Sequence, residues 1–197
     1  MQKPSKGDLK KLEIIQAAIE CIASIGFEKT TYEAIAKKIG TRRAHVPYHF
    51  KDKEDIFKAC ILSINHNYQE VLKKHVAKAK SGKELLIHFA EGPFVWAEKS
   101  SDELSVMLLF YYLSAVNKEY KSLNTQLKSA GIQRLVMVMS QELKLKSSID
   151  ELKYVAKEIQ NIVTGSVIDA ATTNNKTLKQ ARKDVRKSVL NILENLK

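Results

Sequence analysis

The sequence predicts an all-α protein of about nine helices. Three observations carry that reading. Apolar residues recur at steps of three and four along nearly the whole chain, no stretch alternates apolar with polar residues as a half-buried strand would, and clusters of Ser, Thr, Asn, Asp and Gly fall between the periodic segments, where caps and turns are built.

Leu12, Ile15, Ile19 and Ile22 give residues 9–25 one apolar stripe, and Gly26 stands where a helix C-terminus takes a glycine. Thr30 and Glu33 have capping-box spacing, with Thr31 as a competing cap, so a second helix is expected through Ile35, Ala36 and Ile39 to Gly40. A short turn and a third helical stretch, from about Arg42 to Tyr48, follow. Lys51 and Asp52 open a longer helix with Ile56, Phe57, Cys60, Ile61 and Ile64 on its apolar side, expected to continue to Lys80. Beyond Gly82 the helical segments are roughly 83–99, 102–116, 118–145, 149–173 and 176–195. Gly92-Pro93 predicts a kink or break in the first of these, because proline lacks an amide hydrogen and collides with the preceding turn.

Composition narrows the classes of function. The 197 residues are 44% hydrophobic and 28% charged, near globular averages, which excludes wholesale disorder and a disulfide scaffold. The longest apolar run, Val106 to Leu113, is less than half of the roughly 18 residues a membrane span needs. A cytoplasmic protein is expected. Cys21 and Cys60 have no Cys-x-x-Cys or His/Cys ligand spacing around them, so they read as packed small side chains, and no metal site or cofactor is expected.

The net charge of +11 is unevenly placed: residues 1–53 carry an excess of +5, residues 54–175 of +1, and residues 176–197 of +5. A basic N-terminal part beside a near-neutral middle is the electrostatic footprint of a polyanion binder. The excess at the C-terminal end reads as a solvated face. Residues 14–57 give that footprint a motif, for they set a short helix, a turn containing Gly40 and a second short helix in series, with helix-turn-helix spacing. The second helix opens on Arg42-Arg43-Ala44-His45, and Arg is the residue whose planar fork matches guanine's major-groove acceptors or a phosphate.

This stretch resembles the tetracycline repressor (TetR) family of bacterial transcriptional regulators. The resemblance rests on Ala17-Ala18, Gly26-Phe27, Thr30-Thr31, Ile35-Ala36, Gly40, and Tyr48-His49-Phe50 leading into Lys53-Glu54-Asp55-Ile56-Phe57. It implies a helix-turn-helix DNA-binding domain over residues 1–53 and a helical effector-binding and dimerisation domain over residues 54–197. Two positions depart from the family's habit, which is Ser where this chain has Arg42 and Tyr where it has Pro47. With Thr41 as the cap, Arg42 sits in the first turn and Pro47 falls inside. A recognition helix of little more than one turn, distorted near His45 to Pro47, is expected.

Roles follow from the chemistry. Arg42, Arg43 and His45 are candidates for reading base edges, with phosphate contact alone as the alternative for either arginine. Thr30, Thr31, Tyr32, Tyr48, His49 and Lys53 are candidates for the DNA backbone; Thr31 and Lys53 stand at helix N-termini, where free amides favour phosphate. Ile15, Ala18, Ile22, Ile35, Ala36, Val46 and Phe50 are expected to form the small core. Phe89, Phe94, Trp96, Met107, Phe110, Tyr111 and Met137 supply the aromatic and flexible surface an effector cavity uses, and point to an apolar or aromatic small molecule. His66 and His88 read as surface or satisfied core histidines. Leu152, Val155, Ile159 and Ile162 form one late stripe and Val185, Val189 and Ile192 another, expected at a two-fold homodimer interface.

The expected function is a ligand-responsive dimeric transcriptional regulator, a repressor in the family's usual mode, that binds a pseudopalindromic operator in double-stranded DNA. The competing class is a sequence-tolerant architectural DNA-binding protein without an effector. An enzyme is not expected, since no Gly-rich phosphate loop, His-Glu-x-x-His or Gly-x-Ser-x-Gly occurs and no catalytic residue can be named.

Overall fold

The computed structural model describes residues 5–196. Among them are nine α-helices, one π-helical turn and no strand: α1 (Lys6–Ile25), α2 (Tyr32–Lys38), α3 (His45–His49), α4 (Lys53–Val76), α5 (Gly82–Ala97), α6 (Ser101–Val116), α7 (Lys118–Met137), the π turn Val138–Glu142, α8 (Ile149–Thr172) and α9 (Leu178–Asn195). The all-α expectation holds. No described helix is long and apolar enough to cross a membrane. The chain forms two compact units, one from the residues up to Asn67 with Ser100–Phe110, the other from Tyr68–Lys99 with the residues from Tyr111 onward.

In the first unit, α1 begins with a capping box. The Ser5 hydroxyl accepts from the Asp8 amide at 3.1 Å while the Ser5 amide donates to the Asp8 carboxylate at 3.0 Å. The buried stripe of α1 is Ile14, Ala17, Ala18, Cys21 and Ile22 together with Ile19. Ile19 and Ile22 stand in the stripe as expected, whereas Leu12 is exposed and Ile15 only half-buried. The Ala17-Ala18 pair explains the difference: small side chains let neighbouring elements approach this face, and Ile14 is brought in on the same turn. Ile35, Ala36, Val46, Phe57, Cys60 and Ile61 complete this core.

In the second unit α5 packs on α8 and α9, and α8 packs on α7 and α9. Leu86, Phe94, Met139, Leu152, Ile159 and Val189 are all but inaccessible to solvent. Burying each such side chain contributes about 1.5–3 kcal/mol, so this apolar interior holds the helices in place. Two glycines mark close approaches. A Cβ on Gly92 would lie 2.5 Å from Leu72, and one on Gly82 would lie 2.8 Å from the carbonyl oxygen of Glu142.

Three local expectations need correction. The helix α5 runs through Pro93 without a break; Phe89 and Pro93 both line a cavity, so the step that lacks its hydrogen bond has space beside it. The stretch expected as one helix over 118–145 stays α-helical only to Met137. It then widens into the π turn, with the Leu143 amide bonding back to Val138 at 3.0 Å, and stops before Lys144, which takes φ 51°. The helix α4 ends at Val76 rather than Lys80.

Candidate functional site

The helix-turn-helix is built from local chemistry. Thr31 caps α2, its hydroxyl accepting from the Ala34 amide at 3.1 Å. Thr30 turns inward, is buried, and donates its hydroxyl proton to the Gly26 carbonyl at 2.8 Å. Between the competing caps, the fold thus gives Thr31 the helix and Thr30 the core. The end of α2 is a Schellman turn: the Gly40 amide bonds to Lys37 at 3.3 Å and the Thr41 amide to Ala36 at 2.9 Å, with Gly40 at φ 64°.

The recognition helix α3 has five residues, His45–His49, and begins three residues later than expected. Thr41 does not cap it; instead the Thr41 hydroxyl meets His45 Nδ1 at 2.8 Å. The reason lies in Pro47. An amide there would bond to the Arg43 carbonyl, but that carbonyl is taken by the Val46 amide at 3.2 Å in a tighter turn. Pro47 therefore occupies the first turn, where helix amides have no intrahelical partner, and α3 loses little by it. The short helix was expected; its start was not.

Arg42 and Arg43 thus lie in the turn ahead of α3, exposed and without an ion pair among the described residues. Tyr48 is 85% exposed, its ring edge-on to His49 at 5.0 Å. Lys53, at the start of α4, holds its ammonium 4.1 Å above the Phe27 ring and donates to the Glu28 carbonyl at 3.3 Å. The Tyr32 hydroxyl donates to the Lys51 carbonyl at 3.4 Å. One concavity of about 510 Å³ is lined by Thr30, Thr31, Tyr32, Arg43 and Lys53 with Glu33, Ile35 and Ile56. It gathers five of the nine expected DNA-contacting residues, while Arg42, His45, Tyr48 and His49 lie outside its wall. Lys38 is turned away from such a role by Glu20, 2.8 Å distant; that ammonium, with Gln16, holds the Glu20 carboxyl below its ordinary range.

The second unit contains a cavity of about 70 Å³ whose walls come from α4, α5, α7 and α8. Tyr68, Phe89, Arg134 and Gln160 line it, and burial pushes the Tyr68 phenol up to about 12. Arg134 is anchored by Gln69 at 2.6 Å. Of the residues expected at an effector site, Phe89 alone is in the wall. Phe94 and Trp96 are buried in the core, with Trp96 edge-on to Tyr68 at 6.1 Å. Tyr111 lies under the Lys128 ammonium at 6.0 Å and Met137 is exposed. Met107 and Phe110 belong to the first unit. Tyr68, on the later turns of α4, was expected within reach of a cavity; Arg134 and Gln160 were not anticipated, because each is a single polar residue in an unremarkable helical stretch.

On α8 and α9, Leu152, Val155, Ile159, Val185 and Val189 are already buried by this chain's own helices, whereas Ile162 and Ile192 are half-buried. Two ion pairs tie α9 to α5: Arg186 to Glu91 at 3.0 Å and Arg182 to Glu98 at 3.2 Å.

With this geometry in hand, comparison with known proteins gives a consistent answer. The HTH-type transcriptional regulator BetI of Yersinia pestis is 20% identical over 167 residues, 84% of this chain and 82% of that protein. BetI of Vibrio campbellii is 19% identical over the same share. Among solved structures, a TetR transcription regulator from Haloarcula marismortui superposes with a TM-score of 0.81 at 14% identity, over 95% of this chain and 97% of that one. A transcriptional regulator from Saccharomonospora viridis, crystallised with choline, gives 0.77 at 20% identity, over 92% and 96%. Residues 14–60, the stretch that builds the helix-turn-helix, match the family described as bacterial regulatory proteins, tetR family. Over that stretch the chain carries the helix-turn-helix this family describes, and over most of its length it is similar to helix-turn-helix transcriptional regulators.

Proposed function

We propose that the protein is a homodimeric, ligand-responsive repressor whose residues 1–53 bind a pseudopalindromic operator and whose residues 54–197 hold the effector and the partner subunit. The observation that carries the DNA half is the common wall formed by Thr31, Tyr32, Arg43 and Lys53 beside an exposed α3. Hydroxyl, guanidinium and ammonium donors on one concave surface suit a phosphate backbone. Arg43 accordingly acts on phosphate, and Arg42 with His45 faces the base edges.

The dimer seam runs along the uncovered side of α8 and α9. Ile162, Ile192, Leu190 and Leu193 retain accessible apolar surface, and a Cβ added to Gly165 would meet no atom within 4 Å. Two copies related by a two-fold axis would put the recognition helices into successive major grooves, about 34–36 Å apart.

The cavity supports the ligand response. At about 70 Å³ it is well below the roughly 300–1,000 Å³ of an occupied small-molecule site, so the effector selects a conformation in which α4, α5, α7 and α8 part. Its wall holds Arg134 and no carboxylate, which suits an apolar or aromatic molecule with a hydrogen-bond acceptor. The choline bound by the Saccharomonospora viridis protein supports a ligand-holding role for this fold; an arginine in the wall argues against a cationic ligand here.

Selection of bound sites from a random DNA pool tests the reading. An inverted repeat is expected, and recovery without one would favour the sequence-tolerant architectural class. Calorimetry with ligands from a thermal-shift screen tests the response, since an effector that weakens operator binding is itself weakened by operator to the same factor. Equal ligand affinities with and without operator would sink it.

A further inference from the structure

Sequence spacing gives no hint of a metal site, yet the fold assembles one set of metal-ligand side chains in the second unit. His75 closes α4, and His88 and Glu91 stand one turn apart on α5, so that both project from the same face. One ligand atom from each of the three lies within 4.8 Å of the others. Glu91 is buried, and the two imidazoles are half-buried with ring centroids 4.5 Å apart.

Two features set this cluster apart from a structural polar contact. His75 Nε2 and His88 Nδ1 are both shut off from solvent; among the described residues His88 Nδ1 has no hydrogen-bond partner, and His75 Nε2 faces the Glu91 carboxylate. His75 Nε2 also lies 3.4 Å from Glu91 Oε2. Two donors each about 2.0–2.1 Å from a tetrahedral zinc ion stand about 3.3 Å apart. The observed approach is that of two ligands facing one ion.

We propose that His75, His88 and Glu91 form a binding site for a divalent transition-metal ion of the zinc class. Two imidazoles and one carboxylate are borderline donors, suited to Zn(II), Co(II) or Ni(II), whereas Mg(II) and Ca(II) require a shell of oxygens. Arg186 supplies the outer support: its Nη1 holds Glu91 Oε1 at 3.0 Å and leaves Oε2 directed at His75. Three protein ligands leave the fourth tetrahedral position for water or an anion.

The experiment is a Co(II) titration of untagged, full-length protein freed of metal by chelator, followed by metal analysis of zinc-loaded protein after gel filtration. The expected result is the visible absorption of tetrahedral Co(II) and one zinc retained per chain. His75→Gln and His88→Gln should each weaken retention by more than about 100-fold, the upper end for losing an outer-shell partner. Glu91→Gln provides a third variant, and circular dichroism verifies that each is folded. His66→Ala, which removes an exposed imidazole outside the cluster, should retain the full equivalent. Absence of the Co(II) bands, no retained zinc, or retention unchanged in folded His75→Gln and His88→Gln protein would overturn the site. None of these readouts depends on DNA or on an effector.

Discussion

The turn that presents α3 and the bundle that contains α9 are held together in opposite ways. Between Gly26 and Phe50 the geometry is set by bonds that span a few residues: Thr30 to Gly26, Thr31 to Ala34, Thr41 to Ala36, and Thr41 to His45. Only Val46 of the five α3 residues is buried. In the second unit the ties span long stretches of chain, such as Arg186 to Glu91 and Gln160 to the Lys128 carbonyl at 3.0 Å, around a deep apolar interior. The contrast teaches where stability and recognition reside. The first region can change what it presents at small cost in folding, while the second cannot change its buried face without losing the fold.

Substitutions should rank accordingly on the free energy of unfolding. Val185→Asp places a carboxylate at a position 1% exposed with no partner for it, and is expected to cost about 3–5 kcal/mol or prevent folding, as judged by urea denaturation. Ile162→Asp lies at a half-buried position and should cost far less while splitting the dimer by light scattering. If it remains dimeric, the proposed seam is wrong. Gly82→Ala drives a methyl group against the Glu142 backbone and should cost about 1–3 kcal/mol, because backbone yields less readily than a side chain.

Gly40→Ala comes next, at about 1–2 kcal/mol, the penalty for an L side chain at φ 64°. Operator affinity should fall with it, since the Schellman turn sets the approach to α3; unchanged affinity would show that α3 is positioned by its own contacts instead. Arg43→Ala is the smallest on this scale, within about 0.5 kcal/mol for an exposed side chain. It should nevertheless weaken binding to every sequence alike and lower the salt slope by about 0.9. A loss confined to one base pair would move Arg43 to base reading and erase the division of labour with Arg42.

The same contrast explains what could be read from the chain. Helices were legible throughout because apolar periodicity is local, and the helix-turn-helix was legible because Thr31, Gly40 and Phe50 act within a turn of where they stand. In α1 the stripe holds for Ile19 and Ile22 but not for Leu12 and Ile15, which are as apolar as Ile14, and nothing in α1 itself says which face meets α2 and α3. Of the cavity only Phe89 and the reach of Tyr68 were legible, and the His75–His88–Glu91 cluster was not. Their walls are drawn from several helices, and His75 is separated from His88 by a complete turn and loop. Pro93 does not break α5, since a helix break depends on whether the space beside the missing bond is filled.

The chain has two cysteines, Cys21 and Cys60, and both lie buried in the first unit. Burial raises both thiols, and holds Cys60 at about 12 with its sulfur 3.7 Å from the Ile15 carbonyl. A thiolate-seeking reagent therefore meets almost no reactive sulfur in the folded protein. Labelling has to wait for the helices around these residues to open, and its rate becomes a clock for the excursions of the first unit. The bundle, having no cysteine, contributes nothing to that signal. An operator fragment that slows the clock would report, without any added probe, how much DNA steadies that unit.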